Sequence, residues 1–429
     1  MRWRGIAGTF AAAFLLCAAP VAAESIDIRA GRLVDPAAAR VLSDQRIRIV
    51  DGKIVAVTPW RDADGPASVD WSGKTVLPGL IDMHTHVADG FGQDSDPAEP
   101  LRRREATTIL KGADAARSML RAGFTTVRDV GVYRGLTDVA LRDAINKGWV
   151  EGPRMVVAGG YVTIPGGGGA ITPLDKKTPI PREFRIGEAR DAIEARVAVR
   201  RLIEGGADFI KLIATGAVLA VGSEPGALEL TPEQMRAACD EAKARGSYCI
   251  AHAHGAEGIK AAIRAGARTI EHASYLDAEG IEMAKLAGVW LDMDIFNGDW
   301  IEEVGTREGW PAEYLRKNRE TTDIQRRGFA AAVKAESKLT FGSDAGVYPH
   351  GLGGRQFAYM VRYGMSPMQA IRSATSEAAL ALKMDGQVGT LAPGAWGDFI
   401  AVKGDPLQDI ATLERVTGVV KGGKRVAND

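Results

Sequence analysis

Eight short apolar runs are spread through residues 79–385, and stretches with helical periodicity separate them. The runs are IDMHTHV, TTVRDVG, RMVVAGG, FIKLIATG, YCIAHAHG, TIEHAS, VWLDMDI and LTFGSDAG. Between them lie patterns such as EARDAIEARVAVRRLIEGGA and TPEQMRAACDEAKARG, in which apolar residues recur three and four apart. Regular strand–helix alternation buries a parallel sheet beneath a helical layer. Eight units over this length predict a (β/α)8 TIM-type barrel. The 51 glycines suit a fold with that many tight strand–helix turns.

The flanks read differently. Residues 24–78 contain SIDIRAGRLV, QRIRIVDGKIVAVTP and KTVLPG, short β-like runs broken by Gly and Asp turns. Residues 386–429 return to the same texture in GQVGTLAPGAWGDFIAV and VTGVVKGGKRV. Either piece alone is too small for a core, so the two are expected to fold together as a small β-sandwich beside the barrel. One segment breaks the alternation. Residues 159–187, GGYVTIPGGGGAITPLDKKTPIPREFRIG, are rich in Gly and Pro and lack periodicity. Long loops of this kind inside a compact domain serve as lids or binding loops.

Residues 1–23 read as a processing signal: two arginines in MRWRG, the apolar IAGTFAAAFLLCAA, then small residues before a cleavage site after Ala23. The mature chain is therefore expected to be exported, to the periplasm. Leu16 stands where a lipoprotein signal would place Gly or Ala, so Cys17 is not read as lipidated. No later stretch reaches about 18 uninterrupted apolar residues, and no membrane span is expected. Past Ala23 only Cys239 and Cys249 remain. An oxidising compartment allows a disulfide between them, but their apolar neighbours favour buried free thiols. Basic and acidic residues balance at 54 each, so nothing suggests a polyanion-binding surface, and 6% aromatics argue against a nucleic-acid binder built on stacking.

In IDMHTHV, His84 and His86 point to one side of a strand together with Asp82. Of the six histidines, His84, His86, His252, His254 and His272 sit at or near strand ends, and only His350 does not. The fourth run adds Lys211 and the eighth ends with Asp344. The C-terminal strand ends make the active face of such a barrel. Each residue alone has an ordinary explanation: a hydrogen-bonded core imidazole, a lysine reaching for solvent, a capping aspartate. Gathered at one mouth, they would each cost several kcal/mol unless paired or metal-bound. A pair of divalent ions offsets those costs together. Zinc takes imidazole and carboxylate ligands and keeps a position open for water in catalytic sites. Burial beside metals would drive Lys211 neutral, and a neutral amine can add CO2 to become a carbamate able to bridge two ions.

PGLIDMHTH, IKLIATG, AHAHG, TIEHAS and FGSDAG resemble the ordered motifs of the amidohydrolase superfamily, in its binuclear branch with a carboxylated lysine. The resemblance covers nearly the whole mature chain. It implies that His84 and His86 hold one metal and that His252 and His272 hold the other. It further implies that Lys211, as N6-carboxylysine, bridges them, and that Asp344 binds the first metal and handles protons. His254 falls outside that ligand set and becomes an outer or substrate contact. The implied reaction is amide hydrolysis, in which a metal-bridging hydroxide attacks the carbonyl and Asp344 passes its proton to the leaving nitrogen.

More closely, TTVRDVG, IKLIATGAV with LTPEQM, AHAHGAEGI, IEHASYLD, LDMDIFNGD, SDAGVYPHG and MVRYG resemble exported metallo-dipeptidases or carboxypeptidases. These remove the C-terminal residue from Xaa-Pro, Xaa-Arg or Xaa-Lys dipeptides and from N-acyl amino acids, and ochratoxin-hydrolysing amidohydrolases stand nearby. The resemblance implies a small peptide or N-acyl amino acid as partner, and a homo-oligomer. A free substrate carboxylate needs a cationic or hydrogen-bonding partner, for which Arg128, Tyr348 and His254 are the candidates. Arg128 reads equally well as a structural ion pair. Asp294 and Asp299, on the loop after the seventh strand, could meet a basic side chain or be solvated loop acids. Family members carry a histidine in the loop after the third strand, where this chain reads GGGGAIT, so side-chain preference does not transfer. The rival readings are a cyclic-amide hydrolase or deaminase on the same fold, or a non-catalytic metal- or ligand-binding barrel. Lys211 with AHAHG disfavours the first two, and Asp344 with the complete ligand set disfavours the third.

Overall fold

The computed structural model describes residues 24–89 and 96–426, so the processing signal expected at 1–23 lies outside the described residues. The chain opens with β1 (Ser25–Asp35), β2 (Arg40–Val50), β3 (Lys53–Pro59) and β4 (Val69–Pro78). β1 and β2 are antiparallel, with Ile28 opposite Ile47. Ile28, Ala30, Ile47 and Ile49 are all buried, as two-residue alternation requires of a strand with one face on a core. β4 runs parallel to β1, and the register slips at a bulge between Ala30 and Arg32. Gly31 sits in that bulge. A Cβ there would lie 1.7 Å from the Ser72 carbonyl oxygen, so the close approach of the two backbones needs glycine.

The eight apolar runs all contain strands. β5 (Leu80–Thr85), β6 (Phe124–Asp129) and β7 (Arg154–Val157) form one parallel sheet. β8 (Tyr161–Val162), β9 (Ile210–Ile213), β10 (Cys249–Ala253), β11 (Thr269–His272), β12 (Trp290–Asp292) and β13 (Leu339–Thr340) form a second. Backbone bonds pass between the two sheets on both sides. Asp208 N donates to Val157 O at 2.8 Å on one side. On the other, Met83 N and His86 N donate to Phe341 O and Ala345 O, and Asp344 N donates to His84 O, all at 2.8 Å.

β8 lies inside the stretch 159–187 that showed no periodicity in the sequence. It pairs with β9, Tyr161 opposite Lys211. A two-residue strand is too short to give a periodic signal. The remainder of that stretch folds back, with Ala189 N donating to Thr163 O at 2.8 Å.

The helices Ala192–Glu204 and Pro232–Ala244 fall where the periodicity placed them. Asp191 caps the first by accepting from the Ile193 and Glu194 amides, and Thr231 and Gln234 form a capping box on the second. The expectation of free thiols is overturned: Cys239, in the second helix, is disulfide-bonded to Cys249, the first residue of β10. The short turn after that helix brings β10 straight back along it, so that the two Cα atoms lie 5.3 Å apart, within disulfide range.

After the last barrel strand come β14 (Phe399–Val402), β15 (Val416–Lys421) and β16 (Lys424–Val426). They join the first four in one mixed sheet of order β16-β15-β14-β4-β1-β2-β3. The expected sandwich is thus a single seven-stranded sheet. Its two eleven-residue strands and the bulge in β1 give enough twist and bend for one sheet to cover its own core. Phe399, Ala401 and Val420 from the C-terminal part pack with Ile28, Ile47 and Trp71 from the N-terminal part. No helix among the described residues is long and apolar enough to cross a membrane.

Candidate metal centre

His84 and His86 project from the end of β5, a strand buried along its whole length. Lys211 comes from β9, His252 and His254 from β10 and just beyond it, His272 from the last position of β11, and Asp344 from the segment after β13. The structure brings all seven together. The His272 ring centroid lies 4.7 Å from that of His84 and 4.6 Å from that of His252. Asp344 Oδ1 lies 3.3 Å from Nε2 of His84 and 3.3 Å from Nε2 of His86. The edge of a tetrahedron of ligands about 2.0–2.1 Å from a central zinc is about 3.3–3.4 Å, so each of these nitrogens is spaced from the carboxylate oxygen as two ligands of one ion are.

Each imidazole is oriented through a ring nitrogen held by the protein. His84 Nδ1 meets Glu271 Oε2 at 3.0 Å, and His86 Nδ1 meets Gly131 O at 3.0 Å. His272 Nδ1 meets Asp294 Oδ1 at 2.8 Å, and His252 Nε2 meets Gly216 O at 3.1 Å. His254 Nδ1 is held by Ser274 Oγ at 2.7 Å. Partners of this kind fix the tautomer and turn the second nitrogen toward an ion. The donor atoms of His84, His272 and Asp344 lie within 4.8 Å of one another, and so do those of His252, His254 and His272.

Two of these positions carry strained backbone. His272 has φ 66° and Asp344 has φ 58°, in the left-handed region that side chains other than glycine rarely adopt. At the end of β11 this turn has a specific effect. Strand alternation puts Glu271 on the face that meets His84 and Arg128, and its neighbour should then point to the other face. The left-handed turn swings His272 over the mouth instead.

Burial and neighbouring charges compete at this site. Burial pushes His252 and His254 well below the ordinary imidazole value and lowers Lys211 to about 8, against the attraction of Glu271. For Asp344, burial pushes the carboxyl up, but His84 and His86 outweigh it and hold the group well down as a carboxylate. The Lys211 Nζ is buried without a hydrogen-bond partner. His84 goes the other way: against burial and the Lys211 charge, Asp344 and Glu271 raise it to about 9, so an ion binding there displaces a proton. Imidazoles, an ionised carboxylate and an unpartnered amine form a donor set that fits divalent ions.

Not every expected site residue reaches the cavity. Arg128 is fully buried beneath it: Nη2 donates to both Glu271 oxygens at 3.0 and 2.9 Å, and Nη1 to Thr269 Oγ1 at 2.9 Å. Arg128 is therefore an internal ion pair that steadies Glu271, and through it His84, rather than a substrate contact. Tyr348 is also fully buried, packed on Phe296 at 5.0 Å between ring centroids, and does not line the cavity. His254 does line it. Asp294 is taken up by His272, while Asp299 accepts from Tyr359 Oη at 2.6 Å and pairs with Arg326 at 2.8 Å, away from the cavity.

Other contributors went unnoticed in the sequence. Tyr161, from β8, places its hydroxyl 3.2 Å from His86 Nδ1, and Asn297 donates to Asp344 Oδ2 at 3.1 Å. Glu271 stands beside His272 in TIEHAS, and an acid adjacent to a ligand was the available signal.

Parallel strands with buried histidines, a lysine and an aspartate at their C-terminal ends define a metal-dependent hydrolase. The chain belongs to the amidohydrolase family, whose model matches residues 75–426. Ochratoxinase from Aspergillus niger is 30% identical over 366 residues, covering 81% of this chain and 75% of that protein. Among solved structures, a Xaa-Pro dipeptidase with methionine in its active site superposes with a TM-score of 0.86 at 33% identity, over 94% of this chain and 100% of that one. A prolidase complexed with N-methylphosphonate-L-proline gives 0.85 at 29% identity, over 95% and 100%. The protein is a hydrolase acting on amide bonds.

Proposed function

We propose that the protein releases the C-terminal amino acid from dipeptides or N-acyl amino acids at a binuclear metal centre. The observation that carries this reading is the meeting of His84, His86, His252, His272 and Asp344 around the buried, unpartnered amine of Lys211. His84, His86 and Asp344 would hold one ion and His252 and His272 the other, with carbamylated Lys211 shared between them; zinc suits these donors. Ions held there supply ionised water at neutral pH and polarise the scissile carbonyl. Asp344 takes the proton of the attacking water and delivers it to the leaving nitrogen. Asn297 steadies Asp344 for that task by engaging its other oxygen. His254, its ring fixed by Ser274, contacts the substrate. The similarity to a Xaa-Pro dipeptidase and to ochratoxinase supports an amino acid on the leaving side.

The two parallel sheets are read as one closed (β/α)8 barrel over 79–385, supported by the backbone bonds that join β5 to residues 341–345. Residues 24–78 and 386–429 form the β domain beside it. Residues 1–23 are the export signal that sends a homo-oligomeric enzyme to the periplasm.

Metal analysis combined with a dipeptide panel tests the reading. Two ions per chain and release of a free amino acid are expected. Two ions without hydrolysis would indicate a binding barrel, and ammonia release would indicate a deaminase.

A further inference from the structure

Two chambers adjoin at Tyr133 and Leu219, which line both: an inner one of about 80 Å3 against the histidines and an outer one of about 620 Å3. The apolar side chains that line the inner chamber include Ile213, Val218, Leu219, Ile301 and Val347. Polar residues also line this chamber, but they are bonded to one another or to backbone. Gln325 donates to His272 O at 3.0 Å and to Asp294 Oδ1 at 3.2 Å. Asn318 donates to Gly298 O at 2.9 Å, and the Thr321 and Thr322 hydroxyls donate to carbonyls of their own helix at 2.8 and 2.7 Å. Asp294, an acid of this chamber, is taken by His272, Asn297 and Gln325. Asp344, the other, belongs to the metal centre.

In the outer chamber Asp89 accepts from the Tyr133 and Arg134 amides, Asp96 pairs with Arg102 at 2.6 Å, and Glu99 pairs with Arg103, while the exposed Asp114 has Arg117 3.8 Å away. A guanidinium or ammonium entering the inner chamber from the substrate would therefore be desolvated against aliphatic walls, with no spare carboxylate among the described residues of that chamber to meet it. An apolar side chain would bury surface at no such cost.

We propose that the inner chamber selects uncharged, apolar side chains, so that the amide cleaved carries an amino acid such as leucine, proline or phenylalanine and not arginine or lysine. This rests on the amide-hydrolase reading above and narrows its substrate class. Leu219, half-buried where the two chambers meet, is the position at which that preference can be reversed.

The test uses the metal-loaded full-length enzyme in two ways. First, kcat/KM is measured for N-acetyl derivatives of Leu, Phe, Pro, Arg and Lys. The apolar set should exceed Arg and Lys by about 100-fold or more, the discrimination expected when a buried charge is left unpaired. In L219D the ratio of Arg to Leu should rise. Second, calorimetric binding of N-methylphosphonyl-leucine and N-methylphosphonyl-arginine is compared on the wild-type enzyme. Tighter binding of the leucine compound is expected, and it is read without turnover. Equal or better hydrolysis of the basic substrates, or equal or tighter binding of the arginine compound, overturns the proposal, as does binding of neither. Preferential leucine binding with no hydrolysis of any substrate would uphold the apolar chamber and overturn the hydrolytic reading instead.

Discussion

Arg128 and Glu271 lie on different strands, and one guanidinium nitrogen reaches both carboxylate oxygens, at 3.0 and 2.9 Å, with neither side chain exposed. Replacing one member leaves the other charged and uncompensated in the protein interior. Arg128→Met should destabilise the protein by about 3–5 kcal/mol, read as a lower urea midpoint. Because Glu271 also orients His84, metal should be retained less tightly. Unchanged stability would show that Glu271 finds another partner or takes up a proton.

Lys211→Ala removes the amine on which the bridging carbamate would form. Metal content should fall from two ions toward one per chain, and kcat should drop by more than about 100-fold. Elemental analysis of the purified variant together with the peptide assay decides the matter. Full loading with full activity would rule the bridge out.

Asp294 holds His272 through its Nδ1 at 2.8 Å and does not itself belong to the proposed ligand set. Asp294→Asn keeps the shape but weakens the hold on the ring. Zinc affinity, measured by competition with a chromogenic chelator, should fall about 10–100-fold. The fold should be preserved, as judged by an unchanged far-ultraviolet circular dichroism spectrum.

The disulfide between Cys239 and Cys249 closes a short loop, the two residues being 10 apart in sequence. The double variant C239S/C249S should lose about 2–3 kcal/mol through the greater freedom of its unfolded chain. Because the bond joins a helix to the strand carrying His252, the comparison belongs on metal-loaded protein at equal metal concentration. Identical melting of oxidised and reduced wild-type protein would contradict the prediction.

Glu241 joins two surface helices. Hydrogen bonds from Arg200 and Arg245, each at 2.8 Å, hold its carboxyl down at about 2, below its ordinary 4.5. A carboxyl lowered in the folded state adds stability that is complete above its unfolded value and lost as pH falls toward the folded one. E241Q should therefore be less stable than wild type at pH 7, and the gap should narrow between pH 4.5 and 2. Denaturation midpoints of both proteins across that range provide the check. A gap that stays constant with pH would mean the arginines contribute packing rather than charge.

The strands of the two parallel sheets were legible because each run was short, held apolar residues bounded by turns, and alternated with stretches of helical period. The histidines were legible because few side chains ionise near neutrality and these sat at strand ends. What escaped depends on local backbone or on distance. The turn at His272 reverses the facing that alternation predicts, so Glu271 and His272 both serve one site from adjacent positions. Arg128 looked like a contact at the mouth because a sequence does not show how far down a strand a long side chain folds. The disulfide escaped because two buried cysteines look alike whether bonded or free until the turn between them is known. Tyr161 was hidden in a two-residue strand.

The small sheet is built from both ends of the chain: β4, ending at Pro78, pairs with β14, beginning at Phe399. During synthesis the first four strands must wait, half-exposed, until more than three hundred further residues have left the ribosome. Their apolar faces are then available to chaperones, or to other copies, for most of the time the chain takes to be made. A premature stop anywhere before β14 would therefore do more than shorten the molecule. It would leave the opening strands without the partners that close over their core, and make the last thirty residues a checkpoint for the whole fold.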